Sequence, residues 1–191
     1  MSVQIILASA SPRRKELLDQ IKVTYKVHSV DLDETPLVNE MPLDYVQRLA
    51  AEKSALCKAQ LNTETPVLAA DTAVILGDLI MGKPRDQADA LAMLAQLSGK
   101  THLVYSAISL RGREHSQGLS ITEVTFRHLT EGEILDYWHS GEPLDKAGSY
   151  AIQGMGGAFV ESIKGSFSGV VGLPLFETAQ LLAKQGIELF K

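Results

Sequence analysis

Two runs rich in strand-forming residues, THLVYSAISL (101–110) and LSITEVTFRHL (119–129), are separated only by the polar stretch RGREHSQG (111–118). A parallel partner would need a crossover of about a dozen residues or more, so strands joined this closely pair as an antiparallel hairpin. A second such unit lies in PVLAADTAVILGDLIMGKP (66–84), which reads as strand, polar interruption at Asp71-Thr72, strand, a Gly77-Asp78 turn and a third short strand. Helical segments alternate with these hairpins. The sheet is therefore expected to be mixed and covered by helices, an α/β or α+β arrangement, and a purely parallel sheet is excluded.

The remaining segments fill in this frame. VQIILA (3–8) is an apolar run that reads as a buried strand leading into a Ser-rich turn and the helix PRRKELLDQI (12–21), with Ser11 as N-cap and Pro12 in the first turn. VTYKVHSVDLDE (23–34) alternates Val23, Tyr25 and Val27 as a second strand and ends in an acidic cluster. LDYVQRLAAEKSALCKAQL (43–61) places Val46, Leu49, Ala50, Cys57 and Leu61 on one helical face. A helix from Asp86 to about Leu97 closes with Gly99, Thr130 and Glu133 form a capping box for EGEILDYWHSG (131–141), and a last helix runs from Pro174 to Gly186. Between Gly141 and Gly172 only AFVESI (158–163) reads as a strand.

The chain has 191 residues, 45% apolar and 21% charged, which suits one globular domain, 1–191, without disulfides. Its 18 basic against 23 acidic residues give a net charge of −5, an unfavourable balance for a general nucleic-acid binder. The single cysteine, Cys57, and the absence of a signal-peptide pattern or a long apolar span point to a reducing, cytoplasmic location with no membrane partner.

Some residues are badly placed for structure alone. Arg13 and Arg14 fall in the first turn of a helix, where the dipole favours anions; they either turn to solvent and surface acids or, with the exposed N–H groups, hold a phosphate. Lys53 continues the apolar face of its helix at i+7 from Val46, and either snorkels past the edge or reaches an anionic pocket. Asp71 is the only charge in an apolar stretch. It either caps Thr72 and a turn, or holds a divalent cation or activates a water. Of the acids in DLDE, Glu34 is a better ligand candidate than Asp31, and carboxylates without a histidine pair suit magnesium. His28, His102, His115, His128 and His139 are scattered and receive no role. GDLIMGKP mimics a phosphate loop, but Pro84 stands where such a loop needs Ser or Thr, leaving only Lys83 able to reach phosphate.

Taken together, LASASPRR, AAEKSA, LAADTAV, GKPRD, LSGKTH and GEPLDKAGSYAIQGMGGAFVESIKGSFSGVVGLPL resemble the Maf family of nucleoside triphosphate pyrophosphatases over essentially the whole chain. The resemblance implies an ITPase-like α/β fold, an elongated mixed sheet flanked by helices with a cleft between two lobes. It implies hydrolysis of a nucleoside triphosphate between the α- and β-phosphates with a divalent cation, magnesium or manganese, and a homodimer. It puts Ser9, Ser11 and Arg14 in the phosphate-binding loop, adds Lys53, Lys83 and Lys146 as phosphate-binding lysines, and assigns Glu34 and Asp71 to the metal and Asp71 to the attacking water. Arg13, Thr72 and Gln153 match the positions associated with base choice. A neutral amide and a hydroxyl there suit the imide edge of uracil or thymine, so the branch acting on dTTP and UTP is the most similar. Departures are confined to SAS, where other members carry a glycine, and to apolar variation in AIQGMGG. The competing expectations are a related branch acting on another triphosphate and a non-catalytic regulator of septum formation that binds nucleotide or nucleic acid.

Overall fold

The computed structural model describes residues 3–190; Met1, Ser2 and Lys191, at the ends of the expected 1–191 domain, lie outside the described residues. One mixed sheet of seven strands forms the centre. β1 (Ile5–Leu7) runs parallel to β2 (Tyr25–Val27) on one side and to β3 (Val67–Leu76) on the other, and the sheet continues antiparallel through β5 (Thr101–Arg111), β6 (His115–Phe126) and β7 (Val160–Lys164), while β4 (Leu79–Met81) forms a hairpin with β3. The mixed sheet expected from the hairpin-linked runs is thus present.

Register creates the opening that matters. β1 meets β3 at Val67 and Leu68, and β4 meets the same edge of β3 at Val74, Ile75 and Leu76. Residues 69–73 between them pair only on the other side, with residues 105–109 of β5. The sheet is split at this edge. Alternation along β3 sends Ala69, Ala73 and Ile75 toward α2 (Pro42–Leu61), where they meet Cys57, Val46 and Ala50, while Leu68, Ala70 and Val74 join the main core with Leu94, Leu97 and Leu182.

Local chemistry explains the helices. α1 (Pro12–Gln20) opens on Pro12, but its N-cap Ser11 makes no side-chain cap; the Oγ of Ser9 accepts the Ser11 N–H instead. α2 carries Pro42 in its first turn, is free of glycine and ends on Asn62 in the left-handed region. α3 (Gln87–Leu97) is capped by Asp86, and α4 (Glu131–His139) has the expected reciprocal capping box of Thr130 and Glu133. α5 (Phe167–Val171) and α6 (Leu175–Lys184) close the chain.

Several expectations are corrected. The polar interruption at Asp71-Thr72 does not break the strand: β3 is continuous because both side chains find partners on either face. The second strand is only three residues long, with Val23 buried ahead of it. The 101–129 hairpin is tighter than read, since His115 already pairs with Arg111. Leu61, at the helix end, is 37% exposed rather than part of the buried face. α5 and the 3-10 turns Ala147–Ser149 and Met155–Phe159 had no counterpart in the pattern.

Candidate active site

The split edge of β3 opens into a cleft of about 810 Å³, within the range of small-molecule sites. Every residue singled out from the sequence, from Ser9 to Gln153, lines it, whereas Asp31, Asp33 and the five histidines do not. The loop that leaves β1 (residues 8–11) and the start of α1 form one wall, β4 and the segment around 142–154 the other, and residues 71–74 of β3 the floor.

On the floor, Lys53 reaches from α2 to Asp71 Oδ1 at 2.7 Å and to Glu34 Oε1 at 2.5 Å. Both Lys53 and Asp71 are buried. Lys53 therefore does not snorkel to solvent; its apolar stem lies on the core face and its ammonium joins two carboxylates. Lys83 stands 3.8 Å from Glu34 Oε2, and the Tyr45 hydroxyl donates to the Glu34 carbonyl at 2.9 Å. Burial pushes the Asp71 carboxyl up and Glu34 adds to this, against the pull of Lys53 and Arg14. Burial also opposes ionisation of Glu34, but there Lys53, Lys83 and Arg14 prevail and hold it below the usual carboxylate range. Two acids sharing one lysine are thus driven apart in acidity.

Arg14 is fixed from both sides. Its Nε donates to the Gly172 carbonyl at 2.8 Å and its Nη1 to Ser9 Oγ at 3.1 Å, so the guanidinium neither turns to solvent nor pairs with a surface acid. Burial lowers its pKa, with Asp71 opposing. Arg13 lies on the cleft wall, and burial lowers its pKa too, against Asp145 and Glu16. Lys146, whose Nζ donates to the Leu144 carbonyl at 3.0 Å, brings a further cation to the opposite wall.

Gln153 sits on a turn that is clamped by a residue the sequence reading missed. The Glu142 carboxylate accepts the Tyr137 hydroxyl at 2.7 Å and the N–H groups of Met155 and Gly156 at 3.0 Å, while Tyr137 accepts the Ala151 N–H at 3.0 Å. Glu142 lies within the GEPLDKAG motif, and Tyr137 within the α4 pattern, yet nothing in either pattern pairs the ring with the acid. Tyr45 was missed for a different reason, since it precedes the apolar helix face by one residue.

Among the described residues no three His, Cys, Asp or Glu side chains converge into a metal cage. Glu34 and Asp71 still fit a hard cation, because magnesium is commonly held by one or two carboxylates and completed by phosphate oxygens and water. The arrangement is that of an α/β protein whose cleft concentrates cations around a buried acid, a constellation for binding a polyanion and moving a proton beside it.

A family model described as "Maf-like protein" matches residues 4–185, and the chain belongs to the Maf family. A Myxococcus xanthus protein named dTTP/UTP pyrophosphatase is 52% identical over 97% of this chain and 94% of its own length. A Methylococcus capsulatus protein of the same name is 51% identical over 97% of this chain and 92% of its own length. Among solved structures, a Staphylococcus aureus Ham1 protein aligns with TM-score 0.48 and 17% identity over 64% of this chain and 71% of that one.

Proposed function

We propose that this chain hydrolyses dTTP and UTP to the nucleoside monophosphate and pyrophosphate. The observation that carries the reading is the buried Asp71, joined to Lys53 and set in the same cleft as Arg14, Lys83 and Lys146, in a chain about half identical to proteins named for that activity. Ser9, Ser11 and the α1 N-terminus with Arg14 hold the terminal phosphates, and Lys53 and Lys83 neutralise the oxygens nearest the acids. Arg13, Thr72 and Gln153 address the base.

Asp71 orients a water toward the α-phosphorus and takes its proton as the new P–O bond forms; the bond to the bridging oxygen breaks, and pyrophosphate leaves with that electron pair. A raised carboxyl suits this task, since a base works best with its pKa nearer the operating pH. Arg14, Lys53 and Lys83 stabilise the charge that develops on the leaving pyrophosphate. A divalent cation, magnesium or manganese, held by Glu34 and Asp71, would supply Lewis-acid polarisation of the phosphate oxygens.

A panel of nucleoside triphosphates with added magnesium, read out as pyrophosphate formed per nucleotide consumed, tests the reading. UTP and dTTP are expected to give one pyrophosphate each and to exceed the purine nucleotides. Release of orthophosphate, a purine preference, or tight binding without hydrolysis would contradict it.

A further inference from the structure

Thr72 and Ser106 face each other in register across β3 and β5, with their hydroxyl oxygens 2.9 Å apart. By itself that contact leaves the direction of the proton open. The next link closes it: Ser106, fully buried, lies 2.6 Å from the carbonyl oxygen of Gly169 in α5. A carbonyl only accepts, and a hydroxyl has one proton to give. Ser106 therefore donates to Gly169, and Thr72 must donate to Ser106. The Gly169 carbonyl belongs to the last turn of α5, where backbone oxygens need an external donor. Ser106 supplies it, which keeps the chain of protons pointing one way.

The consequence is felt in the cleft, which Thr72 lines beside Val74, Val104 and Val171. With its proton committed inward, the Thr72 oxygen offers the cleft only lone pairs. Gln153 cannot impose such a polarity, because its amide presents a donor or an acceptor according to which way it is turned.

We infer that Ser106 is a positioning residue for base recognition, holding Thr72 as an obligatory acceptor so that the cleft takes the imide N3–H of uracil or thymine and rejects the N3 lone pair of cytosine. This rests on the pyrimidine reading above. Unlike Thr72, Ser106 touches no substrate; it sets the sign of the hydrogen bond that Thr72 makes.

The test compares kcat/KM for UTP and CTP in wild type and in Ser106→Ala, with thermal unfolding as the control for folding. Freed of Ser106, the Thr72 hydroxyl can turn its proton to cytosine, and the UTP-to-CTP ratio is expected to fall by about tenfold or more, mainly through a lower KM for CTP. Thr72→Val is expected to weaken UTP without helping CTP, and adding Ser106→Ala to it should leave the ratio where Thr72→Val put it. Should Ser106→Ala fail to fold, Ser106→Cys, with its weaker donor, carries the same comparison and is expected to give an intermediate ratio. In wild type, UTP methylated at N3 is expected to be a poorer substrate by about tenfold or more, because it has no proton for Thr72. An unchanged UTP-to-CTP ratio in a folded Ser106 variant, or equal turnover of N3-methylated UTP, overturns the inference while leaving the pyrophosphatase reading intact. A wild type that releases no pyrophosphate from any pyrimidine triphosphate defeats that reading instead.

Discussion

Lys53 joins two acids at once, the exposed Glu34 and the buried Asp71, and is the cation in direct contact with Asp71. Its ammonium sits 2.5 Å from Glu34 and 2.7 Å from Asp71, and the second contact is buried. Removing the cation leaves an unpaired buried carboxylate next to another of like charge, so Lys53→Met is expected to cost about 3–5 kcal/mol in urea unfolding. Adding Asp71→Asn should recover most of that stability and none of the activity, a non-additivity that a mere loss of packing by the lysine stem would not show. Both residues were legible as anomalies, a lysine on an apolar helix face and a lone acid in an apolar strand. Their contact was not, because 18 residues separate them and neither pattern indicates which strand the helix covers. The roles of Ser106 and Glu142 were not legible for another reason: a serine in a strand, or a glutamate inside a quoted motif, becomes informative only when its partners, Gly169 and the 155–156 turn, are known.

Secondary-structure elements place these side chains through a few tight contacts. The 3-10 turn at Ala147–Ser149 ties the two sides of the far wall, since the Gly148 N–H donates to the Gly82 carbonyl at 3.1 Å, one residue before Lys83. Gly148 has φ +66°, and a Cβ there would lie 2.9 Å from Cγ1 of Val74 on the cleft floor. Gly148→Ala combines left-handed backbone with a clash that Val74 can relieve only by moving, and is expected to cost about 2 kcal/mol or more in chemical unfolding, together with a raised KM for nucleotide. The ends of α3, α4 and α6 were readable to within about two residues because caps and prolines announce them. The five-residue α5 was not, since so short a helix has no period to detect, and its Ser166 cap is lost in a glycine-rich stretch.

At the scale of the whole molecule, the cleft exists because one edge of β3 is shared by two short strands that do not meet, and an aromatic cluster supports the wall behind it. His102, Phe126, Tyr150, Phe159 and Tyr137 pack edge to face, and Tyr150 also lines the cleft. His102 Nε2 pairs with the Tyr150 hydroxyl at 2.9 Å, its Nδ1 has no partner among the described residues, and burial pulls its pKa down to about 4. The unfolded chain thus takes up the proton first, at about pH 6.5, so stability is full above that pH and declines as pH falls toward about 4, by roughly 3 kcal/mol from this group. His102→Gln is expected to flatten the stability profile between pH 7 and 4 relative to wild type, whatever its effect on stability at neutral pH; parallel profiles would deny that His102 is buried neutral. The mixed sheet was legible from hairpin spacing, but the split edge depends on the registers of β1 and β4, which hydrophobic pattern alone does not fix here.

The central claim is that Asp71 moves the proton in hydrolysis of a pyrimidine triphosphate, and turnover of UTP by purified Asp71→Asn beside wild type, with magnesium and matched unfolding curves, tests it most directly. Burial already works against the charged carboxyl. The variant is therefore expected to be at least as stable as wild type while kcat falls by about 10²-fold or more. A folded Asp71→Asn protein that still converts UTP to UMP and pyrophosphate at close to the wild-type rate would contradict the account.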